Sequence, residues 1–177
     1  MKKIKNTLVA GTLVATTAVT AQVGQAQQAT VTIKQETKKQ EKIKKKRKWI
    51  NACLRRQGDT GHPHAVQRWK RKVAAVLYDQ GLSCRYVPGV LNQIQQESGG
   101  NPRAVNNWDI NARNGVPSKG LIQTIAPTYT YYAPKGKKSL RYHMRPYANI
   151  YAGVSYAVHR YGVDKLKAWN RGFNQGY

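Results

Sequence analysis

Apolar residues recur every three or four positions along much of the chain after residue 49, which is the spacing of one face of an α-helix. The clearest stripe is closed by Gly162 and consists of Ile150, Val154, Ala157, Val158 and Tyr161. An earlier stripe precedes Gly81 and consists of Val66, Trp69, Val73, Val76 and Leu77. Glycine directly after such a stripe is typical of a helix end. No segment alternates convincingly between apolar and polar residues, so the pattern predicts an all-α or nearly all-α domain.

Proline and glycine mark the ends of further predicted helices. Pro88 suits the first turn of a helix that the pair Gly99-Gly100 would end. The inward face of this helix would consist of Val90, Leu91 and Ile94. Pro127 marks the start of another helix, and a last short helix would carry Val163, Leu166 and Trp169. The intervening residues 103–119, rich in Asn, Gly and Pro, predict an ordered loop.

The first 26 residues have the layout of a secretion signal. The basic segment Met1–Lys5 precedes the uncharged stretch 8–21, and Gly24-Gln25-Ala26 supplies small residues for cleavage after Ala26. The alternative is a membrane anchor, but this stretch is short and contains four Thr, which disfavours spanning a bilayer. We therefore expect residues 1–26 to be a signal peptide, and the protein to be secreted and associated with the cell wall.

The rest of the chain is strongly basic. The whole sequence holds 31 Lys and Arg against 7 Asp and Glu, a formal charge of +24. We expect residues 27–48 to form a basic linker, as either a solvated tether or an electrostatic anchor, and residues 49–177 to form the folded domain. Such charge predicts a polyanionic partner. The sequence has no zinc-finger, helix-turn-helix or RNA-binding signature, so we expect anionic cell-wall polymers rather than nucleic acid.

Cysteine and histidine give little indication of chemistry. Cys53 and Cys84 are the only cysteines, and either a disulfide or two buried thiols is compatible with an exported protein. The pair in His62-Pro63-His64 has no cysteine or acidic cluster beside it. We therefore expect no metal site and no cofactor.

Glu97 is the only glutamate of the predicted domain, because Glu36 and Glu41 lie in the basic linker. It falls at the end of a predicted helix, where the helix dipole disfavours a negative charge. Apolar neighbours such as Ile94 would raise its pKa further if they enclose it. A carboxyl that keeps its proton near neutral pH is what general-acid cleavage of a glycosidic bond requires. From composition alone, an ordinary exposed helix residue is the simpler interpretation.

Four short segments change that balance. They are Gln96-Glu97-Ser98-Gly99-Gly100-Asn101-Pro102, Gly120-Leu121-Ile122-Gln123, Asn149-Ile150-Tyr151-Ala152-Gly153-Val154-Ser155-Tyr156 and Ala168-Trp169-Asn170-Arg171-Gly172. In this order they resemble the motifs of the soluble lytic transglycosylase (SLT) family, which is lysozyme-like, over roughly residues 66–172. The segments between them are similar to the phage and Gram-positive branch of that family. Trp169 departs from the pattern, because the family has Tyr at that position.

The resemblance implies a lysozyme-like SLT domain that cleaves the bond between N-acetylmuramic acid and N-acetylglucosamine in peptidoglycan glycan strands. It implies Glu97 as the catalytic acid, and we expect Ser98, Gln123, Tyr156 and Asn170 to bind substrate. One carboxyl serving as acid and then as base would leave 1,6-anhydro ends without consuming water. We expect a monomer.

Two other functions stay open. A hydrolytic muramidase on the same fold would use Asp109 as its base, and a non-catalytic cationic protein would only bind the wall. For Asn149 and Trp108, a structural role is simpler to expect than substrate binding. Asn149 would cap a helix, and Trp108 would lie in the core rather than stack on a sugar.

Overall fold

The computed structural model describes residues 10–172, with side chains from residue 27 onward. The predicted signal peptide therefore lies partly outside the described residues. The chain divides into two units, residues 1–45 and 46–177. In the first unit, residues 27–45 are helical and every side chain is exposed. No helix in the described part of the chain is both long enough and apolar enough to cross a membrane.

Helices account for the regular structure of the described residues. They are α1 (Ala10–Gln57), α2 (His64–Gln67), α3 (Lys70–Asp79), α4 (Val87–Ser98), α5 (Ile110–Arg113), α6 (Ala126–Tyr132), α7 (Pro146–Tyr161) and α8 (Asp164–Asn170), with 3₁₀ turns at Cys84–Tyr86 and Leu140–Tyr142. Between residues 10 and 172 the only extended pairings are two isolated bridges, from Lys119 to Val105 and to Thr124. The all-α prediction is confirmed.

Helix α4 lies at the centre of the second unit and packs against α2, α3, α8 and the 3₁₀ turn before it. Its predicted inward residues Val90, Leu91 and Ile94 are completely buried. Trp169 of α8 is buried in the same core. A smaller apolar cluster joins α6 to α7 through Tyr129, Ala133, Ala148 and Ala152. The helix that ends at Glu97 and Ser98 is therefore held by core packing on several sides.

Two glycines end α4 for different reasons. Gly99 adopts a left-handed conformation with φ 58°, which favours glycine at a helix end. Gly100, with φ 85°, has no room for a Cβ atom against the backbone of Ala65. Its carbonyl oxygen accepts a hydrogen bond from Nε1 of Trp69 at 2.9 Å. Gly99 therefore ends the helix, and Gly100 places the end of α4 against Ala65 and Trp69.

The apolar stripe over residues 66–77 was expected to form one helix, but it forms two. Helices α2 and α3 are separated by a turn at Arg68 and Trp69. The indole of Trp69 is nonetheless buried, since it reaches the carbonyl of Gly100. Tertiary packing thus overrides the helical periodicity at this point.

A disulfide joins Cys53 to Cys84, with their Cα atoms 5.7 Å apart. It links α1, one turn before the end of that helix, to the 3₁₀ turn that precedes α4. The sequence left open whether these cysteines pair, and the structure has them paired.

Candidate active site

Glu97 lies in the last turn of α4 and is half-buried. Its Oε1 atom accepts a hydrogen bond from Nε2 of Gln93 at 2.6 Å. Burial raises the pKa of the Glu97 carboxyl above its ordinary value of 4.5, and the hydrogen bond from Gln93 lowers the pKa by less. Glu97 is therefore not a freely solvated helix residue, and its environment favours the protonated form.

Ser98 connects the end of α4 to the second motif. Its hydroxyl oxygen lies 2.9 Å from the carbonyl oxygen of Leu121 and 3.0 Å from that of Ile94. The same oxygen accepts a hydrogen bond from the backbone N–H of Gly100 at 3.3 Å. The segment that contains Gln123 is thereby joined to the residue beside Glu97. Ser98 has a structural role here, and its binding of substrate stays a prediction.

Asn149 holds the loop 119–124 in place. It is completely buried, its Oδ1 accepts from the backbone N–H of Ile122 at 2.9 Å, and its Nδ2 donates to the carbonyl oxygen of Lys119 at 2.9 Å. A Cβ atom on Gly120 would lie 2.5 Å from Cγ of Asn149. The expectation that Asn149 caps a helix is wrong, because Arg145 occupies the N-cap of α7. The third motif thus supports the second.

Gln123 has a strained backbone. Its φ of 43° is the one positive value outside glycine among residues 10–172. Its Nε2 donates to the carbonyl oxygens of Gly120 at 2.8 Å and Ala104 at 3.3 Å. Both bonds use the amide nitrogen, so the side-chain oxygen is the atom suited to accept a substrate N–H. Strain of this kind is characteristic of functional sites.

Asn170 lies at the opposite end of α4 from Glu97. Its Oδ1 accepts from the backbone N–H of Gly89 at 2.7 Å, and its Nδ2 donates to the carbonyl oxygen of Arg85 at 2.9 Å. Gly89 and Glu97 are eight residues apart, which is about 12 Å along a helix. These contacts fix α8 to the start of α4, so the structure does not bring Asn170 to the carboxyl group.

Tyr156 belongs to an aromatic cluster on α6 and α7. Its ring packs edge-to-face on Tyr132 at 5.5 Å and on Tyr161 at 6.0 Å. Its hydroxyl also hydrogen-bonds to Tyr161. Trp169, which stands where the family has Tyr, is completely buried. Substrate binding by Tyr156 stays a prediction.

Trp108 is 78% exposed, so the expectation of a core tryptophan is wrong. The neighbouring Asp109 explains this position, because it caps the short helix α5 at the surface. Its Oδ1 accepts from the backbone N–H of Ala112 at 2.8 Å, and its Oδ2 accepts from Nδ2 of Asn106 at 3.0 Å. Both carboxylate oxygens are thus engaged in local structure.

The other aspartates are also engaged outside the Glu97 site. Asp59 accepts from the backbone N–H of Gly61, Asp79 pairs with Lys46, and Asp164 pairs with Lys167. In the described part of the chain, no group of three or more His, Cys, Asp or Glu is arranged to hold a metal ion. The site therefore consists of one carboxyl group with amide and hydroxyl neighbours.

Sequence reasoning missed Gln93 and gave Asn149 the wrong role. Gln93 is one helical turn before Glu97, and this spacing was the available signal. Asn149 was recognised within its motif, but nothing in the sequence shows that it reaches the 119–124 loop.

Comparison with known families identifies the class of protein. The family described as the Transglycosylase SLT domain matches residues 87–175, which is half of the chain. The chain belongs to this family, and the resemblance and the lysozyme-like fold are confirmed. The description of this family names a transglycosylase domain, and that is the class of protein that the match shows.

Among curated proteins, the chain is similar to Uncharacterized protein YqbO of Bacillus subtilis (strain 168). The two are 42% identical over 97 residues, which is 55% of this chain and 6% of YqbO. The chain thus spans a small fraction of that relative. No solved structure matches the chain significantly.

Proposed function

We propose that this protein is a secreted lytic transglycosylase that breaks the bond between N-acetylmuramic acid and N-acetylglucosamine and leaves 1,6-anhydro-N-acetylmuramic ends. The observation that carries the proposal is the half-buried Glu97 in the last turn of α4, where burial raises the pKa of its carboxyl group and so favours the protonated form. Ser98 joins it to the loop of Gln123. Asp109, the candidate second carboxylate, is engaged as a helix cap, which favours a mechanism with a single carboxyl group.

In this mechanism the protonated Glu97 donates its proton to the glycosidic oxygen while the bond from C1 to that oxygen breaks. The electron pair of that bond stays on the leaving oxygen, and the 2-acetamido group stabilises the positive charge at C1. The ionised Glu97 then takes the proton of the C6 hydroxyl as that oxygen bonds to C1. Glu97 ends as the acid it was, and no water is consumed. The side-chain oxygen of Gln123 accepts a hydrogen bond from the N–H of the acetamido group.

The proposal extends to location and partners. A disulfide is typical of proteins in an oxidising compartment, which supports export. Residues 27–45 carry six lysines and two glutamates on exposed positions, which supports attraction to anionic wall polymers. We propose that the mature chain begins at Gln27 and acts as a monomer. Amino-terminal sequencing and sedimentation of the exported protein test both points.

Mass spectrometry of digested peptidoglycan tests the reaction. Muramic ends lighter by one water than hydrolysed ends support the transglycosylase, whereas reducing ends indicate the muramidase. Glu97→Gln should abolish cleavage, and full activity in this variant would exclude catalysis by Glu97. Asp109→Asn is the matched control, because Asn preserves the helix cap and this variant should stay active. Loss of activity in that control would support the muramidase with Asp109 as its base.

Binding to intact walls tests the role of the basic segment. Replacing the six lysines of residues 27–45 by glutamine keeps the length of the chain and removes the charge. We expect weaker wall binding with a smaller dependence on salt, while cleavage of soluble glycan fragments is unchanged. Equal binding by both proteins would show that the segment is only a tether.

A further inference from the structure

One turn before Glu97, helix α4 carries a polar residue where the rest of its inward face is apolar. Gln93 is 1% exposed and lies among the buried residues Val90, Leu91 and Ile94 of the same helix. Burying an amide among apolar groups costs free energy unless its polar atoms are paired. The Nε2 atom of Gln93 donates to Glu97 at 2.6 Å. The carboxyl group of Glu97 is therefore the hydrogen-bond partner of the buried Gln93 amide.

The bond distinguishes the two oxygens of Glu97. An amide N–H is only a donor, so Oε1 of Glu97 acts as an acceptor. In a protonated carboxyl group the carbonyl oxygen is the better acceptor, so the proton is favoured on Oε2. Since Gln93 is packed in the core, it also restricts rotation of the carboxyl group about its last side-chain bond.

We propose that Gln93 is a positioning residue that assigns Oε2 of Glu97 as the oxygen that gives its proton to the leaving group and then takes the proton of the C6 hydroxyl. This inference rests on the proposed function, because it refines how Glu97 acts. Gln93 is buried, and it would act on the reaction through its hydrogen bond to Glu97.

An uncharged hydrogen-bond donor such as the Gln93 amide suits Glu97, because this carboxyl group must act first as an acid and then as a base. A cation at the position of Gln93 would hold Glu97 ionised and remove the acid, and a second carboxylate there would share its proton. An amide stabilises the ionised form modestly, so Glu97 remains an acid that can lose its proton during the reaction. Burial raises the pKa of Glu97, and the hydrogen bond from Gln93 lowers it by less.

The test compares two substitutions on the same helix. Gln93→Met removes the donor and keeps the length of the side chain. Gln95→Met is the matched control, since Gln95 is half-buried on α4 outside the motif. We expect Gln93→Met to lower kcat by about 10- to 100-fold, with little change in KM. Without the donor, the pKa of Glu97 rises, so the alkaline limb of the profile of kcat/KM against pH moves to higher pH.

A merely structural role would lower activity without moving that limb. A profile in Gln93→Met that matches the profile in Gln95→Met would overturn the proposal. Loss of transglycosylation in Glu97→Gln, combined with that result, would leave the proposed function intact and reject only the role of Gln93. Full activity in Glu97→Gln would instead reject the proposed function.

A measurement on the unmodified protein keeps the proposal testable if Gln93→Met fails to fold. The side-chain amide signals of Gln93 in ¹⁵N NMR should titrate with the carboxyl carbon of Glu97. That titration should be absent in Glu97→Gln. Gln93 signals that stay constant while Glu97 titrates would refute the bond and the proposal with it.

Discussion

The carboxyl group of Glu97 sits where neither its helix nor its surroundings favour a negative charge. It lies in the last turn of α4, at the negative end of the helix dipole. Partial burial raises its pKa as well. A group held in this way makes the folded domain less stable whenever it is ionised, so its chemistry has a measurable effect on folding.

Glu97→Gln should therefore stabilise the protein at pH 7. Because the pKa of Glu97 is raised on folding, the parent loses stability as pH rises from 4.5 through the higher folded value, and the variant does not. Denaturant unfolding at pH 4 and pH 7 measures the difference. Glu41→Gln, at an exposed position of α1, is the control and should leave the free energy of unfolding unchanged at both pH values. A Glu97→Gln protein that is less stable than the parent at pH 7 would argue against a destabilised carboxyl.

How far single residues could be predicted depends on how local their signal is. Glu97 could be singled out as a candidate because its motif and its position before Gly99 are local features of the sequence. Trp108 was placed wrongly, because its exposure follows from the surface helix that Asp109 caps. The contact of Asn170 with Gly89 spans 81 residues of sequence, and no local pattern reports it.

At the scale of elements, α7 organises the loop that carries Gln123. Asn149 projects from the first turns of α7 and hydrogen-bonds to both sides of the loop. His143, in the turn before α7, holds the same loop, since its Nε2 lies 2.9 Å from the carbonyl oxygen of Thr124. The geometry at Gln123 is thus set by a helix that does not contain it.

Asn149→Ala should release this loop. Removing the Asn149 side chain takes away the acceptor Oδ1 of the buried Ile122 N–H, and we expect a loss of about 1–3 kcal/mol in the free energy of unfolding. Cleavage should fall at the same time, because Gln123 loses its support. Asn114→Ala, on an exposed position, is the matched control. Calorimetry would show the loss of stability, and a wall-clearing assay would show the loss of cleavage. Equal stability of the two variants would contradict the role of Asn149 in holding the loop.

His143 should make the domain sensitive to mild acid. Burial lowers its pKa below 6.5, the charge of Lys119 lowers it too, and the bond to Thr124 opposes this in part. The unfolded chain therefore binds the proton first, and stability falls as pH decreases below about 6.5. His143→Gln should remove this loss of stability in mild acid, whereas His64→Gln, at an exposed position, should not. The free energy of unfolding at pH 5.5 and at pH 7.5 measures this loss. If the same pH dependence remains in His143→Gln, His143 is not its source.

Several helix limits follow from proline and glycine in the sequence. Pro88 and Gly99 mark the two ends of α4, and Gly162 follows α7 directly. The break between α2 and α3 was missed, because the apolar spacing continues across it. Periodicity reports which residues are buried better than it reports where the backbone turns.

For the molecule as a whole, the disulfide closes a long loop in a small domain. Cys53 and Cys84 are separated by 31 residues, which includes all of α2 and α3. Cross-linking a loop of this length stabilises a fold by about 3–4 kcal/mol through the unfolded state. The four motifs predicted the family and the fold, but two cysteines alone do not reveal whether they pair.

Reduction should therefore weaken the fold of residues 46–177. We expect the free energy of unfolding to fall by about 3–4 kcal/mol in a reducing buffer. A Cys53→Ser, Cys84→Ser double variant should show the same loss and no further effect of the reductant. Urea unfolding with and without the reductant provides the comparison, and an unchanged midpoint would mean that the thiols are free in solution.

The left-handed backbone at Gln123 has a consequence for which side chains this position can accept. Asparagine adopts such a φ more readily than glutamine and bears the same amide, but it is shorter by one methylene. An enzyme with asparagine there should melt at a higher temperature and turn over more slowly. Selection for robustness and selection for catalysis would then push this one position in opposite directions.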